Sequence, residues 1–350
     1  MCSSCSGDRL NLDIVLEGGG VKAIAEVGAA SVLEQHGFRF HRAAGSSGGS
    51  IVAAGLAAGI STPRLRDLME SVDYRRFADP AGIARLGLPG RALSLLLSQG
   101  VYNGDYLRNW LHDTLKRETG VETFGDLRLP PDEGGDLRPE QQYRLVVIVA
   151  DVSRGQLVRL PWDYADYGLD PDRQLVADAV RASASVVFFY KPVRLRWAPP
   201  SRNVSLMVDG GVVSDFPIEI FDRTDGRPAR WPTFGIQLNA TLTPGALRHR
   251  VTDTLGLGLA VLDTTVFGND RVHLADPCVA RRTIFVPTPS VSSEDFDIDK
   301  ATRQLLYDNG RNAAESFLTM WDWDAFRRVC ATDPGRIAKA LTARGERVPG

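Results

Sequence analysis

Leu12-Asp13-Ile14-Val15-Leu16-Glu17-Gly18-Gly19-Gly20 is an apolar run that meets three glycines directly. It reads as a buried strand ended by a tight turn. Beyond the glycines, residues 21–35 carry Val21, Ile24, Ala25, Ala29, Val32 and Leu33, with Lys22, Glu26, Glu34 and Gln35 elsewhere, so a helix is expected there with Gly37 as its stop. Residues 38–44 predict a second short strand, broken by Gly45-Ser46-Ser47-Gly48-Gly49. The small, apolar residues of 50–59 then predict a helix packed closely on a sheet. A strand–helix–strand unit in one sheet is nearly always a right-handed parallel crossover. Both glycine turns therefore fall at the carboxyl ends of neighbouring strands, where open α/β sheets bind ligands, and each presents a helix N-terminus.

Further strands are expected at 143–150, 204–208, 233–238 and 283–286, alternating with helical stretches, which makes the class α/β. There is no fixed-period repeat and no heptad pattern. Residues 1–11 read as a tail, 12–222 as the core, 223–330 as strands and helices completing the same domain, and 331–350 as a second tail. Residues 74–102 interrupt the core with arginine, glycine, proline and the apolar run Leu93–Leu97. They are either a lid or lipid-facing loop, or an insertion whose leucines pack onto the core. Residues 129–140 are turn-rich and read as an exposed loop. Residues 299–317 form an amphipathic helix of the kind that packs on a core.

The composition of the 350 residues, 43% hydrophobic and 24% charged, excludes a disordered chain. With 41 basic against 43 acidic side chains the net charge is -2, which argues against nucleic-acid binding because no basic excess exists to displace counterions from phosphates. No stretch approaches the ~20 apolar residues that span a bilayer. The first eleven residues lack the apolar segment of a secretory signal. Four cysteines, Cys2, Cys5, Cys278 and Cys330, are few. A reduced, cytoplasmic protein is the expectation, with Cys2 and Cys5 as free thiols in a tail rather than half of a zinc site.

Gly45-x-Ser47-x-Gly49 has the spacing of a nucleophile elbow, in which a serine on a strained strand-to-helix turn projects its hydroxyl clear of the backbone. The spacing alone is weak; the strand before it and the small-residue helix after it are what the geometry requires. Neither Ser46 nor Ser50 has glycine on both sides at that offset. Acyl transfer also needs donors for an oxyanion, and Gly18, Gly19 and Gly20 can turn backbone N–H groups inward with no side chain in the way. A dinucleotide loop fits poorly, since no Asp or Glu follows a second strand at the ribose-binding distance and no GxxxxGK[ST] exists. Lys22 opposes the dipole of the helix it begins. It either holds the glycine loop, meets an anionic head group, or is simply exposed to solvent. Serine needs a base. None of His36, His41, His112, His249 and His273 sits in a marked turn, whereas the strand at 204–208 runs into Asp209-Gly210-Gly211 and sets a carboxylate beside two glycines. Asp151, after the strand ending at Ala150, is a rival without the glycine pair.

Taken together, the three turns resemble those of the patatin-like phospholipases. Gly18-Gly19-Gly20-Val21-Lys22-Ala23 is similar to that family's glycine-rich oxyanion motif, Gly45-Ser46-Ser47-Gly48-Gly49 to its serine elbow, and Asp209-Gly210-Gly211 to its Asp-Gly-Gly motif, in the same order and spacing. The stretches 100–108, 124–127 and 181–190 also look like bacterial members. The resemblance covers about residues 12–222 well and 296–318 more loosely. It implies a three-layer α/β/α sandwich with a mostly parallel central sheet, and a Ser-Asp dyad in which Ser47 attacks an acyl ester of a phospholipid or related lipid with Asp209 as base. Gly18 to Gly20 would form the oxyanion hole, supported by Lys22, Gly45, Gly49, Gly210 and Gly211. Three positions depart from the pattern: Ala23 replaces a glycine, a mild change where the backbone is helical and a strained one where φ must be positive; Gly48 replaces a residue that is often alanine; and the family's common proline in the Ala-Ser-Ala segment would fall near Val187. No metal or cofactor is implied. The net charge supplies no polybasic attraction to membranes, so membrane contact would be transient and peripheral, through apolar surface sought first at 82–101.

Two other readings stand beside this one. An α/β-hydrolase would pair Ser47 with an Asp and His249 or His273, but that fold places several strands before the elbow and only two precede it here. A non-catalytic lipid or anion sensor would use the same helix N-termini without activating Ser47.

Overall fold

A computed structural model describes residues 10–79, 99–131, 133, 135–214, 216–238, 276–288, 291, 293, 295–330 and 334–347. The apolar run Leu93–Leu97, most of the 82–101 stretch, Cys2, Cys5, His249 and His273 lie outside the described residues.

The first strand, β1 (Leu10–Leu16), ends at the glycines, and a 3₁₀ turn at Gly20–Ala23 leads into α1 (Ile24–Gln35). Then follow β2 (Phe38–Ser46) and α2 (Ser47–Ala57). All of α2 but Ile51 is buried, as an apolar helix without a polar face must be. It starts at Ser47, three residues before the expected position, because Gly48 and Gly49 form its first turn instead of a loop. The chain continues through α3 (Thr62–Ser71), a 3₁₀ turn at Tyr74–Phe77, β3 (Gly100–Tyr102) and α4 (Asp105–Thr119). Next come β4 (Leu145–Asp151), β5 (Gln156–Leu160), α5 (Val176–Ser183), β6 (Phe188–Tyr190), β7 (Val193–Arg196) and β8 (Val204–Asp209). The last elements are β9 (Thr233–Leu238), α6 (Pro277–Ala280), β10 (Thr283–Val286), α7 (Lys300–Met320), α8 (Trp323–Cys330) and α9 (Pro334–Arg344).

The central sheet has the order β10-β9-β1-β2-β4-β8-β7, with β5 also on β4, while β3 and β6 form a separate parallel pair. From β10 to β4 all neighbours are parallel; β5, β8 and β7 join antiparallel. Helices complete the α/β/α layers of the mostly parallel fold. Every residue of β4 and β9 is buried, which explains why such strands read as continuous apolar runs.

One detail of register positions the site. On β4, β5 pairs with Val147–Asp151, so β5 occupies one edge of that strand. The other edge is shared: β2 runs along it until Ser46 faces Ile148, and β8 arrives from the opposite direction until Asp209 faces Val149. The carboxyl ends of β2 and β8 thus meet head to head.

Three expectations change. Cys278 and Cys330 form a disulfide with an Sγ–Sγ distance of 2.07 Å, so this pair is not a pair of free thiols; they lie 52 residues apart, and only the fold brings them together. The stretch expected as a C-terminal tail carries α9, which is pinned by charge. Arg336 reaches buried Asp222 with two hydrogen bonds (2.8 and 2.9 Å), Arg282 adds two more (2.6 and 2.7 Å), and Arg344 pairs with Asp136 at 3.2 Å. Burial alone would raise the Asp222 pKa, but the two guanidinium groups override it and hold the carboxyl below the usual range. Finally, the 129–140 loop is not wholly exposed, because Leu129 and Leu137 turn inward. Among the described residues, no helix is long and apolar enough to cross a membrane.

Helix α1, which carries the glycine loop at its start, is held by α7 through direct backbone contact. A Cβ on Gly28 would lie 2.1 Å from the Tyr307 carbonyl oxygen, and one on Gly310 1.9 Å from that of Ala25. Gly310→Val should therefore force the helices apart and lower stability by about 3 kcal/mol, read as a fall in the urea midpoint at unchanged slope.

Candidate active site

Ser47 stands at the junction of β2 and α2 with φ +45°, one of three non-glycine residues with positive φ among those described. Holding such a residue there costs about 1–3 kcal/mol, and the surroundings over-determine it. Its N–H donates to Ser183 Oγ (2.9 Å), and that hydroxyl donates to the Ile148 carbonyl (2.6 Å), tying the elbow to the end of α5 and to β4. Ser50 Oγ donates to the Ser47 carbonyl (2.6 Å). Of the three neighbouring serines, only Ser47 lines the cavity described below.

Asp209 terminates β8 and is 8% exposed. Its N–H donates to the Ser185 carbonyl (3.0 Å), and its Oδ1 accepts the Gly211 N–H (2.9 Å). Gly210 follows so closely on β2 that a Cβ there would sit 2.7 Å from Ser46 Oγ. The head-to-head strand ends thus bring Ser47 and Asp209 into one cavity wall, together with Gly18, Gly19 and Gly20 from the end of β1.

Elbow and glycine loop touch through backbone. Gly48 lies against Gly20, so that a Cβ on Gly48 would be 2.5 Å from the Gly20 carbonyl oxygen and 2.7 Å from its nitrogen. Gly20 has φ +54° and is overlain by the Ser293 carbonyl, which accepts the Val21 N–H (3.0 Å). The departure at Ala23 is harmless, since this residue has φ −57° and ψ −17°. Of the alternatives for Lys22, solvent exposure is excluded: the residue is 5% exposed and lines the cavity.

Gly45 and Gly49 pack inside the elbow and are not part of the cavity wall. Three positioning residues were not singled out in the sequence, although two of them, Arg181 and Ser183, lie in the 181–190 stretch that looks like bacterial members. Ser183 is one. Glu17, a carboxylate at the end of an apolar strand, accepts from Gln237 Nε2 (3.0 Å) and from the Leu238 N–H (2.5 Å), fastening the glycine loop to β9. Arg181 is buried, donates to the Asn103 carbonyl from Nε (3.0 Å), to Ser185 Oγ (2.5 Å) and to the Lys191 carbonyl (3.1 Å), and lies over the Tyr190 ring at 4.8 Å. It joins α5 to the β3–β6 pair.

The rival groups lie elsewhere. Asp151 accepts from the N–H groups of Ser153 and Arg154 and from the Tyr167 hydroxyl and does not line the cavity described below. His36 contacts Glu315 at the surface, His112 lies 3.4 Å from Glu122, and His41 is bonded to the Glu133 carbonyl with its pKa lowered by burial. None of these three lines the cavity.

The cavity has a volume of about 220 Å³. Its polar end is the glycine loop, Ser47 and Asp209; its body is apolar and aromatic, with Ile51, Met69, Val72, Tyr74, Phe77, Leu107, Trp110 and Phe296. Phe77 is the hub, its ring centre 5.6 Å from Tyr74, 5.8 Å from Trp110 and 6.3 Å from Phe296. A few convergent polar groups at one end of a hydrocarbon-lined space suit an ester that carries an apolar chain.

Residues 14–222 match the family described as patatin-like phospholipase. The uncharacterized protein YqhO of Bacillus subtilis is 34% identical over 318 residues, which are 89% of this chain and 99% of that protein. Among solved structures, VipD from Legionella pneumophila is similar with a TM-score of 0.48 and 16% identity, covering 90% of this chain and 67% of its own. ExoU, in its complex with SpcU from the type III secretion system of Pseudomonas aeruginosa, gives a TM-score of 0.44 and 19% identity, covering 97% and 58%.

The Gly48–Gly20 contact can be tested directly. Gly48→Ala should push the glycine loop off the elbow, slow labelling of Ser47 by a fluorophosphonate by about 10²-fold and lower stability by about 1–3 kcal/mol.

Proposed function

Because the chain belongs to the patatin-like phospholipase family, we propose that it is a serine acyl hydrolase that cleaves acyl esters of phospholipids or related lipids, with Ser47 as nucleophile and Asp209 as base. The observation that carries this reading is the meeting of β2 and β8 on one edge of β4, which puts a strained serine and a buried carboxylate in one cavity beside a glycine loop.

The chemistry follows from that placement. Ser47 Oγ attacks the ester carbonyl carbon while Asp209 takes the hydroxyl proton, and the negative charge that develops on the carbonyl oxygen is met by the N–H groups of Gly19 and Gly20. The ester C–O bond breaks, the departing alkoxide takes the proton from Asp209, and an acyl-serine remains. Water then attacks the acyl carbon, giving its proton to Asp209. Collapse releases the fatty acid, and the proton returns to Ser47 Oγ. A single carboxylate serves both halves, which explains why no histidine is needed at the cavity. Lys22 is buried and lines the same cavity beside the loop. The half-exposed rim of Val186, Val187, Phe189 and Val212 supports transient, peripheral contact with a lipid surface.

Ser47→Ala and Asp209→Asn should each reduce ester hydrolysis by about 10³-fold or more with unchanged circular dichroism, and a fluorophosphonate adduct should map to Ser47. Activity retained in either variant would remove the dyad. Replacing His249 and His273 together should leave the rate within about twofold; loss of activity there would instead support a Ser-His-Asp arrangement. Absence of the adduct would support a lipid sensor.

A further inference from the structure

We propose that Ile51, Met69 and Trp110 form a partition that limits the length of the acyl chain, with Met69 as its end stop. The inference rests on the acyl-hydrolase reading and concerns which esters that site prefers.

The cavity has a direction. Of its lining residues, Val186, Val187, Phe189 and Val212 are half-exposed, as are Ile51 and Trp110, whereas Met69, Val72, Tyr74, Phe77 and Leu107 are buried. An ester whose carbonyl sits at Ser47 therefore turns its alcohol, which carries the polar head of a lipid, toward the open side. Its acyl chain runs inward. Ile51 lies one helical turn beyond Ser47 on α2, on the same face, and so marks the path of the first methylenes. Met69 near the end of α3 and Trp110 on α4 line the same cavity.

Behind these three side chains is a second, smaller cavity of about 10 Å³, walled by residues such as Gly55, Leu65 and Leu111. Ile51, Met69 and Trp110 line both cavities, so they are the wall between them. The second space has almost entirely apolar lining and room for about one water; polar contents would find few partners there. The three wall residues differ in how firmly they are held. Trp110 is braced by the Phe77 ring at 5.8 Å, and Ile51 is fixed by the elbow helix. Met69 is unbranched and adaptable, and it lines both cavities, so it is the wall residue whose shortening would join them.

The test is an internal competition. An equimolar mixture of straight-chain acyl esters of one alcohol, from butanoate to hexadecanoate, is offered to wild type, Met69→Ala and Met69→Phe, and the released acids are quantified by mass spectrometry. Product ratios in a mixture do not depend on how much enzyme is folded, so a destabilised variant still gives a readable answer. Met69→Ala should shift the ratio of the esters just beyond the wild-type optimum over those below it by about tenfold, the discrimination that one methylene brings in an apolar pocket. Met69→Phe should shift it in the opposite direction, which keeps the proposal testable if the alanine variant does not fold. Wild-type ratios in both variants, with hydrolysis still dependent on Ser47, would overturn the partition alone. Hydrolysis that survives Ser47→Ala for every ester would overturn the hydrolase reading itself, and the partition with it.

Discussion

Two strands approach β4 along the same edge from opposite directions, and the point where they meet fixes the rest of the site. β2 pairs with the first half of β4 and β8 with the second, so Ser46 and Asp209 face consecutive residues, Ile148 and Val149. Neither strand can continue, because each is blocked by the end of the other. The chain must leave the sheet at both places, and it does so through a strained elbow at Ser47 and a tight turn at Gly210 and Gly211. A serine and a carboxylate from positions 162 residues apart by number, 47 and 209, are thus juxtaposed by hydrogen-bond register before any side-chain interaction is considered.

The glycines next to this junction matter chiefly for what they leave out. At Gly48 and Gly210 the space for a Cβ is filled by neighbouring backbone or by Ser46 Oγ. Gly20 adds a positive φ to the same restriction. Removing side chains at these points lets the carboxyl ends of β1, β2 and β8 close to van der Waals distance, so N–H groups can converge on a small volume. The strain at Ser47, about 1–3 kcal/mol, is small against the burial of α2, which packs its small residues on the sheet along nearly its whole length.

Much of this was legible in the amino-acid order. Parallel strands buried on both faces read as apolar runs, and β9 and β10 coincide with the stretches 233–238 and 283–286 anticipated for them. The elements that escaped are those whose signal is short or diluted. β6 has three residues, and β7 alternates half-buried with exposed positions at the sheet margin, so its pairing is decided by β8 rather than by its own pattern. At the site, Ser47, Asp209 and the glycine loop sit on turns with distinctive local chemistry. Ser183 is one small residue among others in 182–185, and its role arises only when α5 packs over the elbow. Cys278 and Cys330 likewise have no local mark of their partnership; the fold of more than fifty intervening residues supplies it.

Among the described residues the buried side chains form two apolar clusters, and Ile51 and Trp110 pack against both. The larger contains the sheet and its covering helices, including the strands that hold Ser47 and Asp209. The smaller contains Val21, Val72, Tyr74, Phe77, Leu107 and Ala184 and forms the body of the cavity. Val21 directly follows the glycine loop and Ala184 directly follows Ser183, so these two residues are where the smaller cluster adjoins the parts that hold the elbow. Its aromatic members come from the turn after α3, outside the central sheet. None of the six lies in a strand of the central sheet, so changes in their size act on the cavity first. A site arranged this way can alter what fills its apolar end with little penalty to the geometry of Ser47 and Asp209.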